Sequence, residues 1–206
     1  MGAPRTSRPA SGASWRSGGP RSPDAETGTG SRGRAGSHVT AAGLLALAER
    51  GCPCVVPLLK RFFVEQLVPA NRLLGIKVLE VAPDSRSVVL RLPYRRRILN
   101  PAGTVHGAAI LALAETVHGV AVLWQFSPSA HQMVARRSTL EFLRPGRGDL
   151  FVHFGLAPEL RARIARVLAT EGRAEFELES VVVDGQNQVV AHLRAAYVLR
   201  RRPGAA

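Results

Sequence analysis

At 206 residues, 46% of them hydrophobic, the chain is long enough for one domain with a substantial core. A formal net charge of +13 invites a nucleic-acid reading, yet the excess is spread along the chain and is almost wholly arginine, with Lys60 and Lys77 the only lysines. No aromatic platform or recognition helix accompanies it, so a nucleic-acid partner is not expected.

Taken in order, residues 1–37 hold Gly, Ser, Pro, Arg and Ala without apolar periodicity and read as a disordered tail with no signal peptide. A domain over residues 38–203 follows, opened by a helical extension over 38–72. Its first helix is expected from Thr40 to Arg50. Cys52 and Cys54 flank Pro53 in the next turn. A pair this close suits neither a zinc site nor an unstrained disulfide, so free thiols in a reducing cytoplasm are expected.

A second helix is predicted from about Pro57, ending by Pro69, after which Arg72 to Gly75 leads into a strand over Ile76–Val81. A turn at Pro83-Asp84-Ser85 returns the chain as Ser87–Leu92. Arg95-Arg96-Arg97 then reads as a solvated run or as a contact for phosphates. Beyond the central segment come strands over Gln132–Leu143 and Asp149–Gly155, joined by the turn Pro145-Gly146-Arg147-Gly148. An amphipathic helix over Pro158–Thr170 is closed by Gly172. A strand alternates Phe176, Leu178 and Val182 with Glu175, Glu177 and Glu179; Asp184-Gly185 turns the hairpin and Gln188–Arg200 closes the sheet. His153 and His192 sit singly in strands and read as structural. In Gln132–Leu143, strict alternation puts Val134, Arg136, Ser138, Leu140 and Phe142 on the face covering the central helix. A core-facing Arg136 is then either paired with a carboxylate or lines a ligand channel.

Asn100 to Trp124, NPAGTVHGAAILALAETVHGVAVLW, carries the specific chemistry. After its turn residues the segment is apolar nearly all round, so its helix should be buried on most sides. The exceptions are Thr104, His106, Glu115, Thr116 and His118. Glu115 stands among Leu111, Ala112, Leu113 and Val117, where a carboxylate persists only if paired, neutralised or used. It follows His106 by nine residues, which places the two on opposite faces and about 13 Å apart along the axis. They cannot serve one site within one chain, but two such helices packed antiparallel about a twofold axis bring Glu115 of one towards His106 and Gly107 of the other. Gly107 falls where the first helical turn begins, with an amide free to donate and no side chain to hold a ligand oxygen off. A carboxylate and a fixed dipole are the parts needed to attack a carbonyl. The segment has the length to cross a bilayer, yet Glu115 at its middle costs about 2.5–3.5 kcal/mol on insertion scales, so no membrane span is expected.

Asn100, His106, Gly107 and Glu115, spaced N-x5-HG-x7-E, together with LEFLRPGRGD from Leu140 to Asp149, resemble the hotdog-fold acyl-CoA thioesterases of the phenylacetate-pathway type, in a branch that opens with extra helices. The resemblance spans roughly Leu58 to Arg201. It departs at Ala108, where relatives carry a second glycine, and at Glu115, where many carry Asp. An α+β hotdog fold is implied, an antiparallel sheet wrapped around a long helix, and the order of elements independently agrees. Catalytic roles fall to Glu115, Gly107, His106 and Asn100, and substrate contacts to Arg136, Ser138, Ala108, Arg97 and Arg144. No metal or cofactor is implied beyond the coenzyme A of the substrate. The expected state is a cytoplasmic homodimer, which a dimer of dimers could extend. The alternatives are an acyl-CoA-binding hotdog protein without catalysis and an enoyl-thioester hydratase or dehydratase.

Overall fold

Period-two alternation builds the sheet. In the computed structural model, which describes residues 56–82 and 84–202, six strands join into one antiparallel sheet. They are β1 (Lys77–Val81), β2 (Ser87–Leu92), β3 (His131–Phe142), β4 (Leu150–Gly155), β5 (Arg173–Asp184) and β6 (Val189–Arg201). Their spatial order is β1-β2-β4-β5-β6-β3. In β5 the pattern is unbroken: Ala174, Phe176, Leu178, Ser180 and Val182 are buried, and Glu175, Glu177 and Glu179 face solvent. The tail, the predicted helix over Thr40–Arg50 and the two cysteines lie outside the described residues.

Around this sheet stand α1 (Val56–Phe62), a π-helical turn (Phe63–Leu67), α2 (Pro69–Leu74), the central α3 (Gly107–Leu123) and α4 (Pro158–Glu171). The sheet covers one side of α3, burying Ala109, Ile110, Leu113, Ala114, Val117, His118 and Val120 to Val122. Its other side, Ala108, Leu111, Ala112, Glu115, Thr116, Gly119 and Leu123, keeps some exposure. The chain therefore has the hotdog architecture, with helices before the first strand.

Helix α2 was not anticipated. Pro69, taken as the end of one helix, instead opens another, because its missing N–H is no loss in a first turn. Gly75, at φ 78°, closes it with its N–H on the Asn71 carbonyl at 2.8 Å. The π-turn is held by Glu65, whose buried carboxylate accepts from Lys77 Nζ at 2.6 Å, the Val78 N–H at 2.9 Å and Arg61 Nε at 3.0 Å. Burial pushes this carboxyl up, but hydrogen bonds from Lys77 and Val78 and the charges of Lys77 and Arg61 outweigh it and hold it below the usual carboxylate range.

Strand β3 corrects the expected facing of Arg136. A β-bulge intervenes, with Ala135 opposite Tyr197 and Arg137 opposite Ala196, so Arg136 is the inserted residue. Before the bulge Met133 and Ala135 face the helix; after it Ser138, Leu140 and Phe142 do. Val134 is thus on the opposite face from Ser138, and Arg136 and Arg137 both point outwards. Arg136 donates from Nη1 to Glu175 at 3.0 Å and Arg137 from Nη2 to Glu177 at 3.5 Å, two exposed pairs on the outer face. Arg136 is paired with a carboxylate and does not line a channel against the helix. A second bulge, between Val182 and Val183, likewise shifts Val189 out of the core face of β6.

Candidate active site

The loop before α3 is built by Asn100. Its Oδ1 accepts from the Ala102 and Thr104 N–H groups at 3.0 and 3.1 Å, and its Nδ2 donates to Thr104 Oγ1 at 2.8 Å. The loop is tied to the LRPGRGD segment by Val105 N–H on the Gly146 carbonyl at 2.9 Å, while the Tyr94 N–H donates to Asp149 at 2.7 Å. Backbone donation from Tyr94, with a lesser pull from Arg91, holds the Asp149 carboxyl below its ordinary range despite some burial. That segment is a clamp on the helix entry, and it packs closely at Gly146: a Cβ there would lie 3.1 Å from Leu150 Cδ1, which would have to shift by a few tenths of an ångström.

His106 is the N-cap of α3, and its Nδ1 accepts from the Ala108 N–H at 3.1 Å. A neutral ring in this position carries its proton on Nε2. The Ala108 amide is thereby used, whereas the Gly107 amide donates to no group among the described residues. Phe142 closes over this point, and a Cβ at Gly107 would stand 2.6 Å from its ring. Asn100, Thr104, Gly107, Ile110, Phe142 and Arg144 line a cleft of about 390 Å³ here. Arg144 donates to Gln188. Arg97 lies with Arg95 beside Gly75, their guanidinium groups 2.9 and 3.2 Å from where a Cβ would be. Ala108 is exposed on the first turn.

Glu115 is half-buried two helical turns further on, about 12 Å along the axis from Gly107. The Ser138 hydroxyl, on the helix-facing side of β3 beyond the bulge, donates to Glu115 Oε1. Behind it lies a buried pair that the sequence did not mark as part of a site: the Tyr197 hydroxyl, 2.9 Å from His118 Nδ1. Burial, then the charge of Glu115, pushes the Tyr197 phenol well up. His118 is fully enclosed between Phe154 and Tyr197, and burial drives it from 6.5 to about 4 against a weaker opposing effect of the Glu179 backbone. Tyr197 was recognisable in sequence only as one apolar position of an alternating strand. Thr116, beside Glu115, donates to Asn71 Oδ1 at 3.0 Å, so α2 reaches the same helix.

Within the chain the free amide at the start of α3 and the carboxylate of Glu115 therefore stand apart. Broader hollows of about 470 and 430 Å³ open on the outer sheet face, but ion-paired Arg and Glu line them and neither touches Gly107 or Glu115. His153 and His192 face Ser87 and Glu179 as structural groups. Among the described residues no three of His, Cys, Asp and Glu converge as a metal site would require, and no helix is long and apolar enough to cross a membrane.

A family model described as "Domain of unknown function (DUF4442)" matches residues 58–199. Among solved structures, a protein of unknown function from Pseudomonas aeruginosa, described as a probable thioesterase, is 29% identical, with 70% of this chain and 95% of that one covered at a TM-score of 0.65. A protein of unknown function from Chlorobaculum tepidum is 14% identical, covering 73% and 97% at 0.62. A thioesterase from Haemophilus influenzae is 18% identical, covering 66% and 87% at 0.52. The last two likenesses are of fold alone. No curated protein matches the chain in sequence.

Proposed function

The chain belongs to the DUF4442 family within the hotdog-fold thioesterases, and from that premise we propose that it hydrolyses acyl-CoA thioesters at a site completed by a second copy of itself. The observation that carries the reading is the division of labour along α3: a free amide at Gly107 and a half-buried, hydroxyl-held carboxylate at Glu115, too far apart to share one carbonyl. Support for the second copy comes from two surfaces. Beside Glu115, the uncovered stripe of α3 carries Ala108 and Ala112, small residues that let another helix approach. Strand β3 ends the sheet with twelve residues, an unpaired outer edge, and exposed Val134 and Phe142. A twofold axis here sets Glu115 of one protomer against Gly107 of its partner.

In the reaction, Glu115 takes a proton from water as the oxygen attacks the thioester carbonyl, and the Gly107 N–H receives the negative charge that develops on the carbonyl oxygen. The carbon–sulfur bond then breaks and the departing thiolate takes the proton held on Glu115, leaving free coenzyme A and a carboxylic acid that gives its remaining proton to solvent. His106 and Asn100 shape the donor end. Arg144, at the cleft beside Gly107, suits the phosphates of the coenzyme. The test is Glu115→Gln, which keeps the shape and the Ser138 contact. Thiol release from a panel of acyl-CoA esters should fall at least about a hundredfold with the dimer intact by sedimentation. Full turnover in the variant, or in a monomer, refutes the mechanism.

A further inference from the structure

One cavity has no role in the scheme above. It lies between the π-turn and α3, about 260 Å³, lined chiefly by Phe63, Val64, Val68, Gly119, Leu123 and Trp124. We infer that it is the acyl-chain pocket of the proposed hydrolase and that it selects straight aliphatic chains of medium length. The inference rests on the thioesterase reading.

Three features point this way. First, the polar atoms at its inner end are used on one another: Thr116 Oγ1 donates to Asn71, and Asn71 Nδ2 donates to the Val64 carbonyl at 3.1 Å. At the rim, Arg202 Nε is turned to the Pro128 and His131 carbonyls at 3.1 and 3.0 Å. An occupant finds hydrocarbon rather than donors, which suits a chain and penalises a polar group. Second, Gly119 lies one turn after Glu115 on the same stripe, and a Cβ added there meets nothing within 4 Å. A glycine inside a helix weakens it, and here its effect is to leave a path from the carboxylate into the cavity. Third, the wall is fixed. The π-turn supplies Phe63 and Val64 with a wider helical geometry, and its Glu65 is anchored from three directions.

Size narrows the substrate. The cavity falls below the roughly 300–1,000 Å³ of sites that hold drug-sized ligands, so it takes part of a substrate and not the coenzyme. At about 30 Å³ per group, the share of a water molecule in the liquid, it accommodates about eight methylene-sized units. Affinity should therefore climb by about fourfold per methylene until the pocket is full and then level off.

Non-hydrolysable S-alkyl thioethers of coenzyme A, from butyl to tetradecyl, give the test by calorimetry, with no need of turnover. The native chain should show the climb and a plateau near octyl. Gly119→Leu and Val68→Phe narrow the cavity from opposite walls, and each should lower the octyl-to-butyl affinity ratio by at least about tenfold. Circular dichroism and sedimentation check that both variants remain folded and associated. Affinity in the native chain that does not depend on alkyl length, or a ratio unmoved in two folded variants, overturns the pocket. Graded binding without hydrolysis of any thioester would sink the hydrolase reading and keep the pocket; hydrolysis with length-independent binding would do the reverse.

Discussion

Consider replacing His118 by Phe, a change aimed at the least solvated ionisable group described in the fold. The imidazole is 0% exposed, stacked edge-on to Phe154 with ring centroids 4.6 Å apart, and its Nδ1 meets the Tyr197 hydroxyl. Burial lowers its pKa from 6.5 to about 4, so the folded chain resists a proton that the unfolded chain accepts. The sign follows directly: the folded state is at its full stability above pH 6.5 and loses ground as the pH falls towards 4, where the unfolded chain binds the extra proton. At about 1.36 kcal/mol per pH unit the whole loss amounts to about 3 kcal/mol. His118→Phe removes that loss while leaving the Tyr197 hydroxyl without its partner, a penalty of about 1–3 kcal/mol that does not vary with pH in this range. Urea denaturation from pH 8 to pH 4 should find the variant weaker at the alkaline end, with the gap closing or reversing by the acid end. Taking the difference between the two proteins cancels the carboxylates they share. A constant gap across the range would refute the assignment of a buried neutral imidazole.

Two further outcomes concern the supports of the site. Glu65→Gln should cost about 1–3 kcal/mol in urea denaturation at pH 7, because Lys77 loses its carboxylate partner. Since the folded Glu65 titrates below its ordinary value of 4.5, that difference should persist above that value and shrink as the pH drops through the folded one. Asn100→Ala deletes three hydrogen bonds in the loop that delivers Gly107, and should lower both thermal stability, by about 1–3 kcal/mol, and thiol release from acyl-CoA. An unchanged melting curve would show that the loop is held by other contacts.

Much of this molecule was legible in its residues because the signals are local. Alternation in Arg173 to Val182 marks a strand whatever lies around it, and an apolar run broken by Glu115 marks a buried helix with a carboxylate that needs a reason. The turn residues before Gly107 announce a helix start, and the cap that His106 supplies is a matter of neighbouring positions. The spacing of Gly107 and Glu115 likewise follows from helical rise alone, which is why their separation along one helix could be anticipated from the chain.

Tertiary structure decided what depends on register. One inserted residue at Arg136 reverses the facing of everything before it, and since side chains alternate with period two, no pattern in β3 itself reveals where the insertion falls; its partners on β6 do. The same holds for Tyr197, which reads as one more apolar strand residue until the sheet curls around α3 and sets its hydroxyl on His118. The π-turn is pinned where Glu65 meets Lys77 and Val78 twelve and thirteen residues along the chain, and the cavity lies between that turn and Gly119. Sequence supplied the chemistry and its spacing along each element, while the facing of side chains and the hollow between elements arose only when distant strands and helices were packed together.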